Sequence, residues 1–180
     1  MFDFDLARIK ALVFDVDGVL STSTIAMDDE GQPLRTLNVK DGYAIQLAVK
    51  RGLVVAIISG GHSPNIRMRY EYLGVRHIFM SSSYKIRDLE TLTSQTGIPL
   101  DQMLYMGDDI PDYEVMQLVG CPVCPADAAP EIKAISRYVS PFVGGQGAAR
   151  DVIEQVLKAQ GQWMSDKSLS DGRKTSFSQQ

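Results

Sequence analysis

The run Ala11-Leu12-Val13-Phe14 leads without a break into Asp15-Val16-Asp17-Gly18. Four consecutive apolar, β-prone residues suit a strand buried on both faces, as in a parallel sheet. In an open α/β sheet, ligands bind beyond the carboxyl ends of the strands. Asp15 and Asp17 stand at such an end, and Gly18 lets the backbone turn so that both face one pocket. Two adjacent carboxylates repel each other unless a cation or a proton lies between them. A solvated acidic loop would not account for the pair following the apolar run directly.

The rest of the chain repeats this grammar. Val54–Ser59 and Met103–Met106 are further apolar runs, and His77–Met80 and Cys121–Cys124 are shorter ones. Between them lie stretches with helical spacing of apolar residues: Tyr43–Lys50, Asn65–Leu73, Ile86–Gln95, Asp112–Val119 and Ala148–Ala159. Strands alternating with helices predict an α/β fold with a parallel sheet and right-handed crossovers. One segment departs from the alternation. Ile25–Met27 and Leu34–Val39 flank the turn-forming Asp28-Asp29-Glu30-Gly31, which predicts a β-hairpin over about residues 24–40, inserted after strand 1. Residues 1–160 are expected to form a single domain. Residues 161–180, with five serines and few apolar groups, are expected to form a flexible C-terminal tail.

Composition removes several function classes. With 180 residues, 44% of them apolar, the chain can bury a full core without staples. A formal net charge of −4 argues against a general nucleic-acid coat. No stretch approaches the ~20 apolar residues of a membrane span. The first 18 residues carry four aspartates where a signal peptide carries basic residues, so a cytoplasmic location is expected. Cys121 and Cys124 form a C-x-x-C, but the run reads as a short buried strand, with no second cysteine pair. Core packing is expected of both rather than redox or zinc chemistry.

A second acidic cluster, Gly107-Asp108-Asp109-Ile110-Pro111-Asp112, follows the apolar run MLYM. Capping of the next helix can use one of these acids but not all three. If both clusters meet at one sheet edge, the site is rich in oxygen ligands and lacks His and Cys, which suits Mg²⁺. An anionic substrate such as a phosphate would need donors of its own. Ser59-Gly60-Gly61 ends another strand and offers a hydroxyl and backbone N–H groups. Lys85 opens the helix after the His77–Met80 strand. Four strand ends thus offer Asp, Ser, Lys and Asp around one pocket.

In this order the residues resemble the four motifs of the haloacid dehalogenase superfamily of phosphotransferases: D-x-D-G at Asp15 and Asp17, the Ser/Thr motif at Ser59, Lys85, and G-D-D-x-x-D at Asp108, Asp109 and Asp112. The resemblance covers roughly residues 9–160 and implies a Rossmann-like, doubly wound parallel sheet. It implies that Asp15 attacks phosphorus to form an aspartyl phosphate, and that Asp17 protonates the leaving alcohol and then activates water. It also implies Mg²⁺ held by Asp15, the backbone carbonyl of Asp17 and Asp108, with Asp109 supporting the metal shell. Ser59 and Lys85 would bind the phosphoryl group, and Asp112 would orient Lys85. An aspartate at position 17 favours phosphatase over dehalogenase chemistry.

Spacing narrows the branch. Asp17 and Ser59 are 42 positions apart, and Ser59 and Lys85 are 26 apart. Neither interval holds a cap domain. Asp28–Gly42, Pro125–Ala128 and Gly144–Arg150 resemble the capless 3-deoxy-D-manno-octulosonate 8-phosphate phosphatase branch. This implies a homotetramer joined through hairpins, with a lid borrowed from the neighbouring subunit, to which the tail is a candidate contributor. It also implies a place in lipopolysaccharide precursor synthesis. Two departures fall on the substrate side. Gly61-His62 stands where the branch usually has an arginine after Thr-Gly, and Ser81-Ser82-Ser83-Tyr84 precedes Lys85 where the branch usually has a Gln-Gly loop. Gly60, Gly61 and His62 are therefore candidate substrate-binding residues, and Lys40 and Arg67 are weaker candidates for a substrate carboxylate. The alternative substrate is a nine-carbon, sialic-acid-like keto-deoxy sugar acid 9-phosphate. A receiver domain would carry its acceptor Asp after the third strand, where this chain has Met80-Ser81-Ser82. A non-catalytic scaffold is disfavoured because every motif position is intact.

Overall fold

The computed structural model describes residues 3–165. Its centre is β1 (Ala11–Phe14), all four residues of which are buried. On one side β1 pairs with β4 (Val54–Ile58), which pairs with β5 (His77–Phe79). On the other side it pairs with β6 (Met103–Met106), followed by β7 (Cys121–Cys124) and β8 (Tyr138–Val139). All six are parallel, in the order β5-β4-β1-β6-β7-β8. The chain winds outward from β1 in one direction and then in the other, so the order reverses beside β1. That reversal is where a doubly wound sheet opens a crevice.

Side chains alternate across the sheet with the two-residue period of a strand. Leu12 and Phe14 join a core with Leu47, Ile66 and Val152. These come from α1 (Val39–Lys50), α2 (Pro64–Tyr72) and α6 (Ala148–Ala159). Ala11 and Val13 face the opposite layer with Leu89, Val115 and Ile132. Those belong to α3 (Lys85–Thr96), α4 (Ile110–Met116) and α5 (Pro130–Ile135). Cys121 and Cys124 are buried as free thiols, one in each layer, as expected of core residues.

The hairpin is present but shorter than its sequence pattern predicts. It consists of β2 (Ala26–Met27) and β3 (Pro33–Leu34), paired antiparallel. The predicted second strand, Leu34–Val39, ends at Leu34 because Asn38 starts a helix. Its side chain accepts from the backbone N–H groups of Lys40 (2.9 Å) and Asp41 (3.3 Å), a cap that competes with extended pairing. Helix α1 therefore begins four residues earlier than its apolar spacing shows. Beyond α6, Trp163 packs edge-on to Tyr43 and lies 4.4 Å from the Arg150 guanidinium. Packed chain thus continues past 161, and the remainder of the expected tail, 166–180, lies outside the described residues.

Helices α1 and α6 are joined by a buried carboxylate. Gly147, the residue before α6, has no side chain to cap it. Asp41 of α1 does so from across the interface, its Oδ1 accepting from Arg150 N–H at 2.7 Å. Its Oδ2 has no partner among the described residues. Burial is the main cause that raises the Asp41 carboxyl from 3.8 to about 6, against the backbone donors of Arg150 and Gly147. The folded state therefore holds this proton more tightly than the unfolded chain. The contribution favours folding near pH 4 and is lost as the pH rises through 6. Between pH 4 and pH 7.5 the wild type should lose on the order of 2 kcal/mol relative to Asp41→Asn, at 1.36 kcal/mol per unit of pKa difference between the folded and unfolded states. Urea denaturation of both proteins across that range checks this; parallel pH profiles would refute it.

Candidate active site

The carboxyl ends of β1, β4 and β6 converge, and the start of α3 closes the fourth side. Asp15 continues β1, its N–H donating to Met106 O at 3.1 Å. Gly18, at φ +80°, turns the chain away. A Cβ there would meet the Asp108 carboxylate at 1.9 Å, so only glycine permits both the turn and the approach of the second acidic cluster.

Lys85, buried at the first turn of α3, ties the two clusters together. Its Nζ lies 2.6 Å from Asp112 Oδ1 and 3.1 Å from Asp15 Oδ1. Asp112 also accepts from Tyr105 Oη at 2.7 Å and, through Oδ2, from Asp108 N–H at 3.3 Å. Burial opposes the charge on Lys85, but Asp15 and Asp112 outweigh it and hold its pKa above the ordinary lysine value. Tyr105 is raised well above its usual value, by burial first and then by Asp112. It thus remains a hydroxyl donor.

One ammonium does not balance three carboxylates. Oxygens of Asp15, Asp108 and Asp112 lie within 4.8 Å of one another. Burial, then the Asp112 charge, pushes the Asp15 carboxyl up to about 7 despite Lys85. Burial, then the Asp15 charge, does the same to Asp108. Both oxygens of Asp112 are already taken by protein donors, so Asp108 and Asp15, the latter paired with Lys85 through Oδ1, are the carboxylates better placed to bind a cation. An all-oxygen set deficient in positive charge fits Mg²⁺.

Two recesses meet at Asp15 and Asp17. One, of about 260 Å³, is acidic and includes Asp108, Asp109 and Asp112. The other, of about 380 Å³, is lined by Ser59, Gly60, Gly61 and Lys85, with Tyr84 and Glu114 at its wall. Ser59 is buried, and its Oγ accepts from Gly61 N–H at 3.2 Å. Ser81, at φ +58°, is a left-handed non-glycine residue in the loop before α3. Its N–H bonds Gly61 O, and Ser82 N–H bonds Ser59 O, so this loop is strapped to the Ser59 loop.

The structure thus brings together Asp15, Asp17, Ser59, Gly60, Gly61, Lys85, Asp108, Asp109 and Asp112. Asp109 occupies the residue before α4 without a side-chain cap bond. His62 is not among the lining residues of either recess; it is exposed, and its Nδ1 pairs with Ser81 Oγ at 3.3 Å. Lys40 is exposed on α1, and Arg67 is engaged by Ile78 O at 2.7 Å and by Glu71. Two neighbours of the site have no motif to announce them. Tyr105 is hidden in the apolar run MLYM, where the partner that a buried phenol requires is the one signal that sets it apart. Arg35, from the hairpin, grips both oxygens of Asp17, at 2.7 and 2.8 Å. No periodicity marks it.

Carboxylates paired for a hard cation, a buried lysine and a serine loop define a phosphoryl-transfer site on a doubly wound sheet. Residues 65–150 match the haloacid dehalogenase-like hydrolase family. The chain is 38% identical over 154 residues to the 3-deoxy-D-manno-octulosonate 8-phosphate phosphatase of Escherichia coli K12, spanning 86% of this chain and 82% of that protein. The Yersinia pestis phosphatase is 37% identical over the same span. Among solved structures, the Moraxella catarrhalis phosphatase, in complex with magnesium, phosphate and KDO, superposes with a TM-score of 0.86 at 33% identity. That match covers 93% of this chain and 95% of that one. The Yersinia pestis structure gives 0.85 at 36% identity, over 88% and 85% of the two chains. The chain belongs to the haloacid dehalogenase-like hydrolases, in the 3-deoxy-D-manno-octulosonate 8-phosphate phosphatase branch.

Mg²⁺ should raise the melting temperature of the wild type, since a ligand at 100 times its Kd adds about 2.7 kcal/mol. Asp108→Asn should be the more stable protein without Mg²⁺, because one repelling charge is gone, and should gain little from it. An undiminished Mg²⁺ response in this variant would place the cation elsewhere.

Proposed function

We propose that this protein is a Mg²⁺-dependent phosphatase, a phosphoric monoester hydrolase, that converts 3-deoxy-D-manno-octulosonate 8-phosphate to the free sugar acid and phosphate. The observation that carries the reading is Asp15 at the junction of the two recesses, 3.1 Å from Lys85 and beside the acidic cluster. Asp15 is the nucleophile. Its carboxylate oxygen bonds to phosphorus as the bond from phosphorus to the sugar oxygen breaks. Asp17 gives a proton to the departing sugar oxygen and then takes one from the water that attacks the aspartyl phosphate. Ser59, the Gly60–Gly61 backbone and Lys85 hold the phosphoryl oxygens. Asp112 orients Lys85, and Asp109 stands beside the acidic recess. Asp15, the Asp17 carbonyl and Asp108 would hold Mg²⁺. When bound, it neutralises charge between carboxylates and phosphate.

Relatives at 37–38% identity that act on this substrate support the eight-carbon acid over the nine-carbon one. A role in lipopolysaccharide precursor synthesis follows from that substrate. No helix among the described residues is long and apolar enough to cross a membrane. Both recesses are open, and neither inter-motif segment supplies a lid. The hairpin exposes Met27 (65%) and Leu34 (53%), apolar surface that suits contact with a second copy. The resemblance to the branch supports a homotetramer in which a neighbouring subunit covers the site.

Phosphate release with Mg²⁺ across eight-carbon, nine-carbon and hexose phosphates tests the reading. The eight-carbon acid should give the highest kcat/KM. Asp15→Asn should lose at least about 10³-fold in kcat while remaining folded. Full turnover in that variant would end the nucleophile assignment, and a higher kcat/KM for the nine-carbon acid would end the substrate assignment.

A further inference from the structure

Arg35 lies just past β3, in the segment that leads from the hairpin to α1, and its side chain is only 6% exposed. Nε donates to Asp17 Oδ1 at 2.7 Å, and one terminal nitrogen donates to Oδ2 at 2.8 Å. The other terminal nitrogen reaches His62 O at 3.5 Å. The guanidinium therefore bridges Asp17 and the Ser59 loop. A two-pronged contact fixes both the position and the rotation of a carboxylate, which a single lysine ammonium cannot do.

Gly61 explains why the guanidinium fits. A Cβ at position 61 would lie 2.4 Å from the Arg35 terminal nitrogen and 3.3 Å from Asp17 Oδ2. Gly61 is not among the positive-φ glycines, so its backbone does not demand glycine. What excludes a side chain there is the arginine. The same numbers place position 61 close enough to Asp17 for a side chain from that loop to reach the carboxylate.

We infer that Arg35 is a positioning residue for Asp17, delivered by the hairpin into space that Gly61 leaves vacant, and that positions 35 and 61 form one unit. The inference rests on the acid–base role proposed for Asp17. It makes a hairpin residue part of the machinery. The displaced atom in Gly61→Ala is the end of a flexible side chain, so that variant should keep its stability while losing Arg35 from Asp17.

The test is a double-mutant cycle on the full-length enzyme with the eight-carbon sugar phosphate. Arg35→Ala should lower kcat about 10- to 100-fold, the scale of a misplaced catalytic group, with KM changed less than about threefold. Gly61→Ala should lower kcat with an unchanged melting temperature, and its loss should be smaller in the Arg35→Ala background than in the wild type. Arg35→Lys should fall between wild type and Arg35→Ala. Gly61→Arg in the Arg35→Ala background should recover at least about a third of the lost activity on a logarithmic scale. A role confined to anchoring the hairpin would not be rescued from position 61. Additive losses at 35 and 61, or a wild-type kcat in Arg35→Ala, would overturn the inference. Asp17→Asn separates the two levels. An inactive Asp17→Asn alongside a fully active Arg35→Ala defeats only the positioning role, whereas an active Asp17→Asn defeats the acid–base reading beneath it.

Discussion

Asp15, Asp108 and Asp112 are held closer together than their mutual repulsion would allow without compensation, and the architecture around them is arranged to hold them there. Lys85 supplies one positive charge, shared between Asp15 and Asp112. Tyr105 and the Asp108 N–H satisfy the rest of Asp112. The remaining imbalance sits on Asp15 and Asp108, the two carboxylates whose pKa values burial and repulsion drive to about 7. A divalent cation would relieve this imbalance, as would a proton, and the all-oxygen donor set suits Mg²⁺.

The fold makes that crowding sustainable. Each carboxylate is anchored at the end of a buried strand or the start of a helix that is itself packed on the core. Asp15 extends a strand with both neighbours in register, Ala11 opposite Val54 on one side and Met103 on the other. Asp112 sits in α4, which is packed by Val115 and Met116. Gly18 removes the one Cβ that would block Asp108. Moving any of these acids away from its neighbours would cost core packing, so repulsion is tolerated rather than relaxed.

Much of this was legible in the sequence, for a physical reason. Short apolar runs that end in Asp, Ser or Gly announce both a buried strand and a ligand-facing strand end, so Asp15, Ser59 and Asp108 could be placed before any coordinates. Other elements carried weaker signals. β8 has two residues, and α5 has six with only Ile132 buried, too few for a period to emerge. Val39 reads as strand by composition, and only the Asn38 cap turns it into helix. Arg35 was hidden for a different reason. It reaches Asp17 through a long side chain across 18 residues of sequence, and surface arginines are common. His62, beside the Ser59 motif, is exposed and its Nδ1 pairs with Ser81 Oγ.

The proposed reaction requires that Asp15 become covalently phosphorylated during turnover. Its most direct test is to quench the enzyme with acid during turnover of the eight-carbon sugar phosphate, reduce it with borohydride and map its peptides by mass spectrometry. An acyl phosphate on Asp15 would be reduced to homoserine at position 15 alone, in a fraction that rises when the hydrolytic step is slowed. Intact aspartate at position 15 under conditions of full turnover, or reduction at Asp17 or Asp108 instead, would contradict the account.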